Sequence, residues 1–261
     1  MSDKRGTLYL VPNILIPGAS PESSLPAAAL ARVRLLRRYI VEGEKAAWSL
    51  LSRVLGPAEA AGVRMERLDE HTKEEELTAL LAPLEEGEDI GLLSEAGMPC
   101  IADPGGALVA LAQDRGIRVT PLIGPSSIVL ALAASGLEAQ RFDFLGYLPQ
   151  EPAGRRAALA SIDRGIKSDG ATRIFIETPY RNARLLEDCL ALLSAGTRFC
   201  VAASICSPTE RIRCASVAIW RETAWPLGKE PAIFLAGRRA ETGSGSRRFA
   251  GSAGGRQRSR P

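Results

Sequence analysis

The chain has 261 residues, of which 46% are apolar and 24% charged, and a formal net charge of +3. That balance suits a globular protein long enough for two modest domains, and it excludes a disulfide-stapled miniature or a highly charged disordered chain. Five arginines (Arg247, Arg248, Arg256, Arg258, Arg260) and one acid (Glu241) fall within residues 240–261, a net of +4, so the remaining body sits near −1 and is not broadly basic.

No uninterrupted apolar run reaches the roughly 20 residues a membrane helix needs. The longest candidate, 128–137, is shorter and contains Ser135 and Gly136. Residues 1–5 lead straight into a strand pattern with no apolar leader. The five cysteines are scattered, without a Cys-x-x-Cys pair, which points to free thiols in a reducing, cytoplasmic setting. The single histidine, His71, stands in a charged Asp-Glu-His-Thr-Lys-Glu run that reads as an exposed loop. A histidine-based metal centre or a catalytic triad therefore has little to build on, and no metal is expected.

Strands are predicted over 6–11, 38–42, 63–68, 90–93 and 117–122. Helices are predicted over 25–36, 44–55, 72–84 and 104–115, the third with a capping box of Thr72 and Glu75. Such alternation implies a largely parallel sheet. Gly124-Pro125-Ser126-Ser127 then opens a helix ending near Gly136, with proline read at the first helical position. A strand over 142–147 follows, and 148–154 reads as an excursion outside the core. Strands at 173–176, 199–203, 210–218 and 232–236, with one helix at 181–194, predict a mixed second sheet. The expected organisation is an N-terminal α/β domain over 1–122, a C-terminal α/β domain over 123–238, and a disordered Arg/Gly/Ser tail over 239–261.

The richest stretch is Leu93-Ser94-Glu95-Ala96-Gly97-Met98-Pro99-Cys100-Ile101-Ala102-Asp103-Pro104-Gly105. A buried strand emptying into a loop of small residues with one carboxylate is how open α/β sheets build ligand sites at strand carboxyl ends. Gly124-Pro125-Ser126-Ser127 repeats that arrangement after the next strand. The alternative for the first loop is an ordinary turn with an exposed glutamate, and for the second, plain helix capping.

With Gly6-Thr7-Leu8-Tyr9-Leu10-Val11-Pro12, Ala134-Ser135-Gly136-Leu137, Phe144-Leu145-Gly146-Tyr147-Leu148-Pro149 and Glu177-Thr178-Pro179-Tyr180-Arg181, these motifs stand in the order of one family. The chain resembles the tetrapyrrole methylase superfamily, the class III S-adenosylmethionine-dependent methyltransferases, and within it the branch that methylates ribosomal RNA. The resemblance implies a two-domain fold with a cofactor cleft between the sheets, S-adenosylmethionine as cofactor, the small ribosomal subunit RNA as substrate and a homodimer. It places Pro12, Glu95, Ala96, Gly97, Pro99, Ile101, Gly124, Pro125, Ser126 and Ser127 at the cofactor, and Lys45, Tyr180 and Arg181 at the substrate. Glu177 and Glu42 become candidates for removing a proton from a ribose 2′-hydroxyl. A small-molecule methylase with a tetrapyrrole-like substrate, or an inert RNA-binding relative, is the alternative.

Two loops depart from the branch. Pro12-Asn13-Ile14-Leu15-Ile16-Pro17-Gly18-Ala19 replaces a Pro-Ile-Gly-Asn-Leu type loop, and Glu42-Gly43-Glu44-Lys45 keeps only part of a Glu-Asp-Thr-Arg type segment. Lys229-Glu230-Pro231-Ala232-Ile233-Phe234-Leu235 matches a sister branch. Two further readings stay open from the residues themselves: Glu177 and Arg181 as a helix-start ion pair, and the Arg-rich tail as a phosphate-binding arm.

Overall fold

A computed structural model describes residues 5–223 and 225–241. The tail expected over 239–261 lies outside these from residue 242 on. The first sheet comprises β1 (Thr7–Val11), β2 (Arg38–Val41), β3 (Arg64–Arg67), β4 (Ile90–Leu93) and β5 (Arg118–Pro121). Its order is β3-β2-β4-β1-β5 and every pairing is parallel. The strands of the middle are apolar on both sides because helices cover both faces. Tyr9, Val11, Tyr39 and Val41 face a cluster with α1 (Ala27–Leu35) and α2 (Glu44–Leu55). Leu8, Ile40, Ile90 and Leu92 face α4 (Glu74–Glu85) and α5 (Gly106–Asp114). A short α3 (Pro57–Ala60) follows α2.

The second half runs α6 (Ser127–Ser135), β6 (Phe142–Tyr147), α7 (Pro152–Asp169), β7 (Thr172–Ile176), α8 (Asn182–Leu192), β8 (Arg198–Ala203), β9 (Arg211–Ser216), α9 (Val217–Arg221) and β10 (Ala232–Gly237). Its sheet order is β6-β7-β10-β8-β9, with β6 and β7 parallel and the other pairings antiparallel. The mixed sheet predicted from the sequence is therefore present. One face packs on α7, α8 and α9 through Phe175, Phe199, Phe234 and Trp220; the other packs on α6.

Three elements differ from expectation. The stretch 148–154, read as an excursion, leads into α7, with Pro152 in its first turn and the Glu151 carboxylate accepting from the Gly154 amide at 2.7 Å. Pro125 precedes the N-cap Ser126 and is not the first helical residue. The capping contact of α4 is shifted by one residue: the Glu76 carboxylate accepts from the Lys73 amide, while Thr72 Oγ1 accepts from Asp69 N. The first tail residues, Arg239 and Ala240, are tied to residues 136 and 137 by a β-bridge and an amide donated to Gly136 O.

All five strands of the first sheet end on one side, so the loops 12–24, 42–43, 94–105 and 122–126 emerge together. In the second sheet β6, β7 and β8 share a direction, because β10 is antiparallel to both β7 and β8. The two sets of loops meet. Leu15, from the loop after β1, packs on the α6-side core of the second sheet, and Cys206, after β8, closes a cavity of about 120 Å³ with Ile14, Ile16, Ala19 and Ser24.

Candidate active site

The centre of the strand-end surface is a clamp between the loops after β1 and β4. Asn13 N donates to Gly97 O (2.8 Å) and Gly97 N donates back to Asn13 O (3.1 Å). The buried Asn13 side chain donates from Nδ2 to Ser94 O (3.1 Å) and Glu95 O (3.0 Å), while its Oδ1 accepts from Ile14 N (2.8 Å). Ser94 Oγ donates to Gly97 O. The loop after β5 joins the same clamp. A Cβ on Gly124 would stand 2.2 Å from Pro12 Cβ and Cγ, so only glycine lets that loop rest on the proline ring. Gly97, at φ +71°, lies so close to Pro125 that a Cβ there would stand 3.3 Å from its carbonyl oxygen. The structure thus brings Pro12, Gly97, Gly124 and Pro125 into one contact.

Ser126 sits at the N-cap of α6, yet its hydroxyl makes no capping hydrogen bond. The capping role raised as an alternative by the sequence is therefore not filled by this hydroxyl. In the loop after β4, Ala96 and Ile101 are exposed, whereas Pro99 is buried.

The loop after β4 is also strained. Cys100 and Ala102 both take φ +67°, and the other two non-glycine residues at positive φ among those described, Ser204 and Cys206, lie in the loop after β8. Left-handed backbone costs a non-glycine residue of the order of 1–2 kcal/mol. Its confinement to two strand-end loops is the pattern of a functional site, where strain is held by the surrounding fold.

Next to the clamp stands a group of carboxylates. Glu95 lies against Gly43, whose Cβ position is 2.3 Å from Glu95 Oε1. Glu42, at the end of β2, has its Oε2 buried without a hydrogen-bond partner. Burial and then the neighbouring Glu95 charge raise the Glu42 carboxyl above its ordinary range. Asp103 is pushed up to about 7 by burial, and then by Glu42 and Glu95. It faces a cavity of about 290 Å³ shared with Asp69, Glu70 and Thr72 from the β3–α4 connection. A carboxyl that holds its proton near neutrality beside an unpartnered carboxylate oxygen is chemically able to exchange a proton. Sequence reading quoted Asp103 only as part of a motif and passed over Asn13. Their signals, a lone carboxylate in a Pro/Gly loop and an asparagine directly after a strand, are common in turns.

Glu177 belongs to a different arrangement. Its buried carboxylate accepts from Arg181 Nη2 and Thr178 N, both at 2.7 Å. Burial raises its pKa, but these partners outweigh it and leave the group below the ordinary carboxylate range. The ion-pair reading of Glu177 and Arg181 therefore holds, and a lowered, doubly occupied carboxylate makes a poor base. Tyr180 is 78% exposed and stacks under the Lys229 ammonium, 4.9 Å from the ring centroid. Lys45 is exposed on the first turn of α2. His71 is exposed, as expected. All five cysteines are free thiols.

S-adenosylmethionine carries an ammonium and a sulfonium charge. The carboxylates of Glu42, Glu95 and Asp103 and the uncommitted Ser126 hydroxyl fit such a cation, and the small residues Gly97 and Gly124 permit close backbone approach.

Residues 16–218 match the family described as Tetrapyrrole (Corrin/Porphyrin) Methylases. The chain is 39% identical over 154 residues to a protein named Ribosomal RNA small subunit methyltransferase I from Escherichia coli O157:H7, covering 59% of this chain and 52% of that one. It is 36% identical over 194 residues to the protein of the same name from Halalkalibacterium halodurans, covering 73% and 62%. It therefore spans between half and two thirds of the length of these relatives. Among solved structures, a conserved hypothetical protein of Aeropyrum pernix K1 superposes with TM-score 0.62 at 18% identity over 90% of this chain and 86% of that one. The methyltransferase CobJ superposes with TM-score 0.58 at 17% identity over 90% and 94%, and these two share the fold. On its family match and its fold, the chain belongs to the tetrapyrrole methylases.

Proposed function

We propose that this chain is a methyltransferase that uses S-adenosylmethionine and modifies a ribose 2′-hydroxyl of small-subunit ribosomal RNA. The observation behind the reading is the clamp of Pro12, Asn13, Gly97 and Gly124 beside the Glu42–Glu95–Asp103 carboxylates. The named relatives, called ribosomal RNA methyltransferases, support the RNA substrate. When bound, S-adenosylmethionine supplies an electrophilic methyl carbon. Ser126, Ser127, Ile101 and the backbone of Glu95 to Pro99 would hold it, and the acidic group would offset its positive charge. Transfer of such a methyl needs no nucleophile from the protein, so what these residues would supply is positioning of the acceptor hydroxyl and exclusion of water. The hydroxyl proton passes to the Glu42–Asp103 pair and not to Glu177, which Arg181 already occupies. Arg181, Lys45 and Tyr180 meet the RNA from the rim.

The reading includes two domains, 1–122 and 123–238, closing over the cleft, a cytoplasmic setting and a homodimer. The exposed apolar residues Ile123, Val129 and Leu130 at the β5–α6 junction support the dimer, which light scattering tests. The arginines of residues 240–261 add sequence-tolerant phosphate contacts. The test of the whole is transfer of labelled methyl to small ribosomal subunits, with a porphyrinogen as the competing acceptor. Label in the nucleoside fraction as a 2′-O-methyl ribose supports the proposal. Label in the porphyrinogen, or none in either, overturns it.

A further inference from the structure

Cys200 and Cys214 stand directly opposite each other on β8 and β9. The type of pairing follows from the hydrogen bonds. Val217 N donates to Thr197 O, and these residues are partners in the same register, so Thr197/Val217 is a hydrogen-bonded position of the ladder. Counting inward, alternate positions make Phe199/Ala215 hydrogen-bonded and Cys200/Cys214 a non-hydrogen-bonded pair. The bonds of Cys200 go to the other neighbour: Ser204 N donates to Pro231 O, which makes the Cys200/Leu235 position of β8–β10 hydrogen-bonded. In an antiparallel sheet the non-hydrogen-bonded pair is the closer one, with Cα atoms about 4.5 Å apart. That separation falls inside the roughly 4.4–6.8 Å range a disulfide spans.

The two thiols differ in environment. Cys200 has no exposed surface and belongs to the buried cluster that includes Ala202, Leu235, Ile174 and the α6 residues Ala131 and Leu132. Cys214 is only half-buried, because β9 is the edge strand. The Arg198 guanidinium lies 3.9 Å from Cys214 Sγ and also donates to the Cys214 carbonyl at 3.2 Å. The neighbouring Cys200 thiol lowers the Cys214 thiol from its ordinary range, burial opposes this, and the Arg198 charge adds to the lowering.

From this register and exposure we infer that Cys200 and Cys214 form a reversible disulfide by exchange with a low-molecular-weight disulfide, with Cys214 attacking and Cys200 resolving. The Cys214 thiolate attacks one sulfur of the external disulfide and expels its first thiolate, which takes a proton from water. Cys200 gives its proton to solvent, attacks the Cys214 sulfur and expels the second thiolate, which is protonated in turn. The two protein thiols lose two hydrogens and two electrons, and the external disulfide is reduced to two thiols. In a reducing compartment such a bond is transient.

The experiment exposes the full chain, reduced and desalted, to oxidised glutathione, then blocks remaining thiols under denaturing conditions and digests with trypsin. Cys214 falls in peptide 214–221, while Cys200 shares peptide 199–211 with Cys206. The expected product joins the two peptides through Cys200 by fragmentation. It persists in Cys206→Ser, is absent in Cys214→Ser and reverts with dithiothreitol. The inference is overturned if Cys214 remains a stable glutathione adduct with Cys200 blocked, if both thiols are found blocked, or if the link runs through Cys206. The map of the unsubstituted chain decides the matter even where a cysteine variant fails to fold.

Discussion

Asn13 is the residue through which the site is most open to test. Its side chain makes three hydrogen bonds, to Ser94 O, Glu95 O and from Ile14 N, and only 3% of the residue is exposed. Asn13→Ala keeps the two backbone bonds to Gly97 and removes only these. At about 1 kcal/mol net for each bond, the variant loses about 3 kcal/mol. For a chain of this size that lowers the melting temperature by about 6–12 °C. The freed Ser94–Gly97 loop must also be ordered again on binding, so S-adenosylmethionine affinity measured by calorimetry falls about tenfold or more, equivalent to about 1.4 kcal/mol. Asn13→Asp sharpens the argument. It retains the acceptor for Ile14 N but turns a carboxylate oxygen toward two carbonyl oxygens near 3 Å. It is expected to be less stable than Asn13→Ala at pH 8. If Asn13→Ala melts within 2 °C of the parent and binds the donor equally well, or if Asn13→Asp is the more stable of the two, the clamp does not organise the site.

Gly124→Ala drives a Cβ into the Pro12 ring and is expected to cost about 1–3 kcal/mol, read by thermal melting, together with a loss of donor affinity in the same calorimetric assay. Asp103 has its pKa raised to about 7 in the folded chain, so its proton stabilises the fold fully at acid pH, and that contribution is lost as pH rises through about 7. Asp103→Asn is therefore expected to flatten the fall in denaturant midpoint between about pH 4 and pH 8, and to remove the rise in methyl transfer near pH 7; an unchanged pair of profiles refutes the assignment. Arg155→Ala removes the 2.7 Å partner of the Asp188 carboxylate, which keeps only Arg184 at 3.3 Å, and leaves the Gln150 carbonyl without its Arg155 donor, Arg155 itself being 6% exposed. A loss of about 1.5–3 kcal/mol in urea unfolding is expected.

Arg155 also explains why α7 was invisible in the sequence. The buried face of that helix is Arg155, Leu159, Ile162, Asp163 and Ile166. The spacing is that of an amphipathic helix, but two of the five inward positions carry charge, so an apolar pattern search finds only Leu159, Ile162 and Ile166. Each charge is inside because tertiary partners receive it. Arg155 meets Asp188 of α8, and Asp163 accepts from Ser194 N, Ser194 Oγ and Thr197 Oγ1. Those partners stand some thirty residues away and have no local signature. By contrast, α2 was predicted over the residues it occupies, since its Ala47, Leu50, Leu51 and Val54 form an unbroken apolar stripe stopped by Gly56.

The same distinction separates the legible from the illegible part of the site. Loops of small residues after β4 and β5 announce themselves, because backbone approach needs glycine whatever the sheet order. The carboxylate group does not. Glu42, Glu95 and Asp103 leave the ends of β2 and β4, which are neighbours in a sheet ordered β3-β2-β4-β1-β5. In the chain, β3 and the whole of α4 separate those strands, and β1 pairs with β4 and β5 but with neither β2 nor β3. A parallel sheet can realise several such orders with the same alternation of elements, and each would gather a different set of strand ends. Glu177 stands apart from that group for a related reason: its motif is local, and so is its partner, four residues on. A glutamate and an arginine at that spacing satisfy one another, and the carboxylate, with Thr178 N as its second donor, is the more fully occupied of the two. The carboxyls raised above their ordinary range, Glu42 and Asp103, are those whose neighbours share their charge, and only the strand order decides which those are.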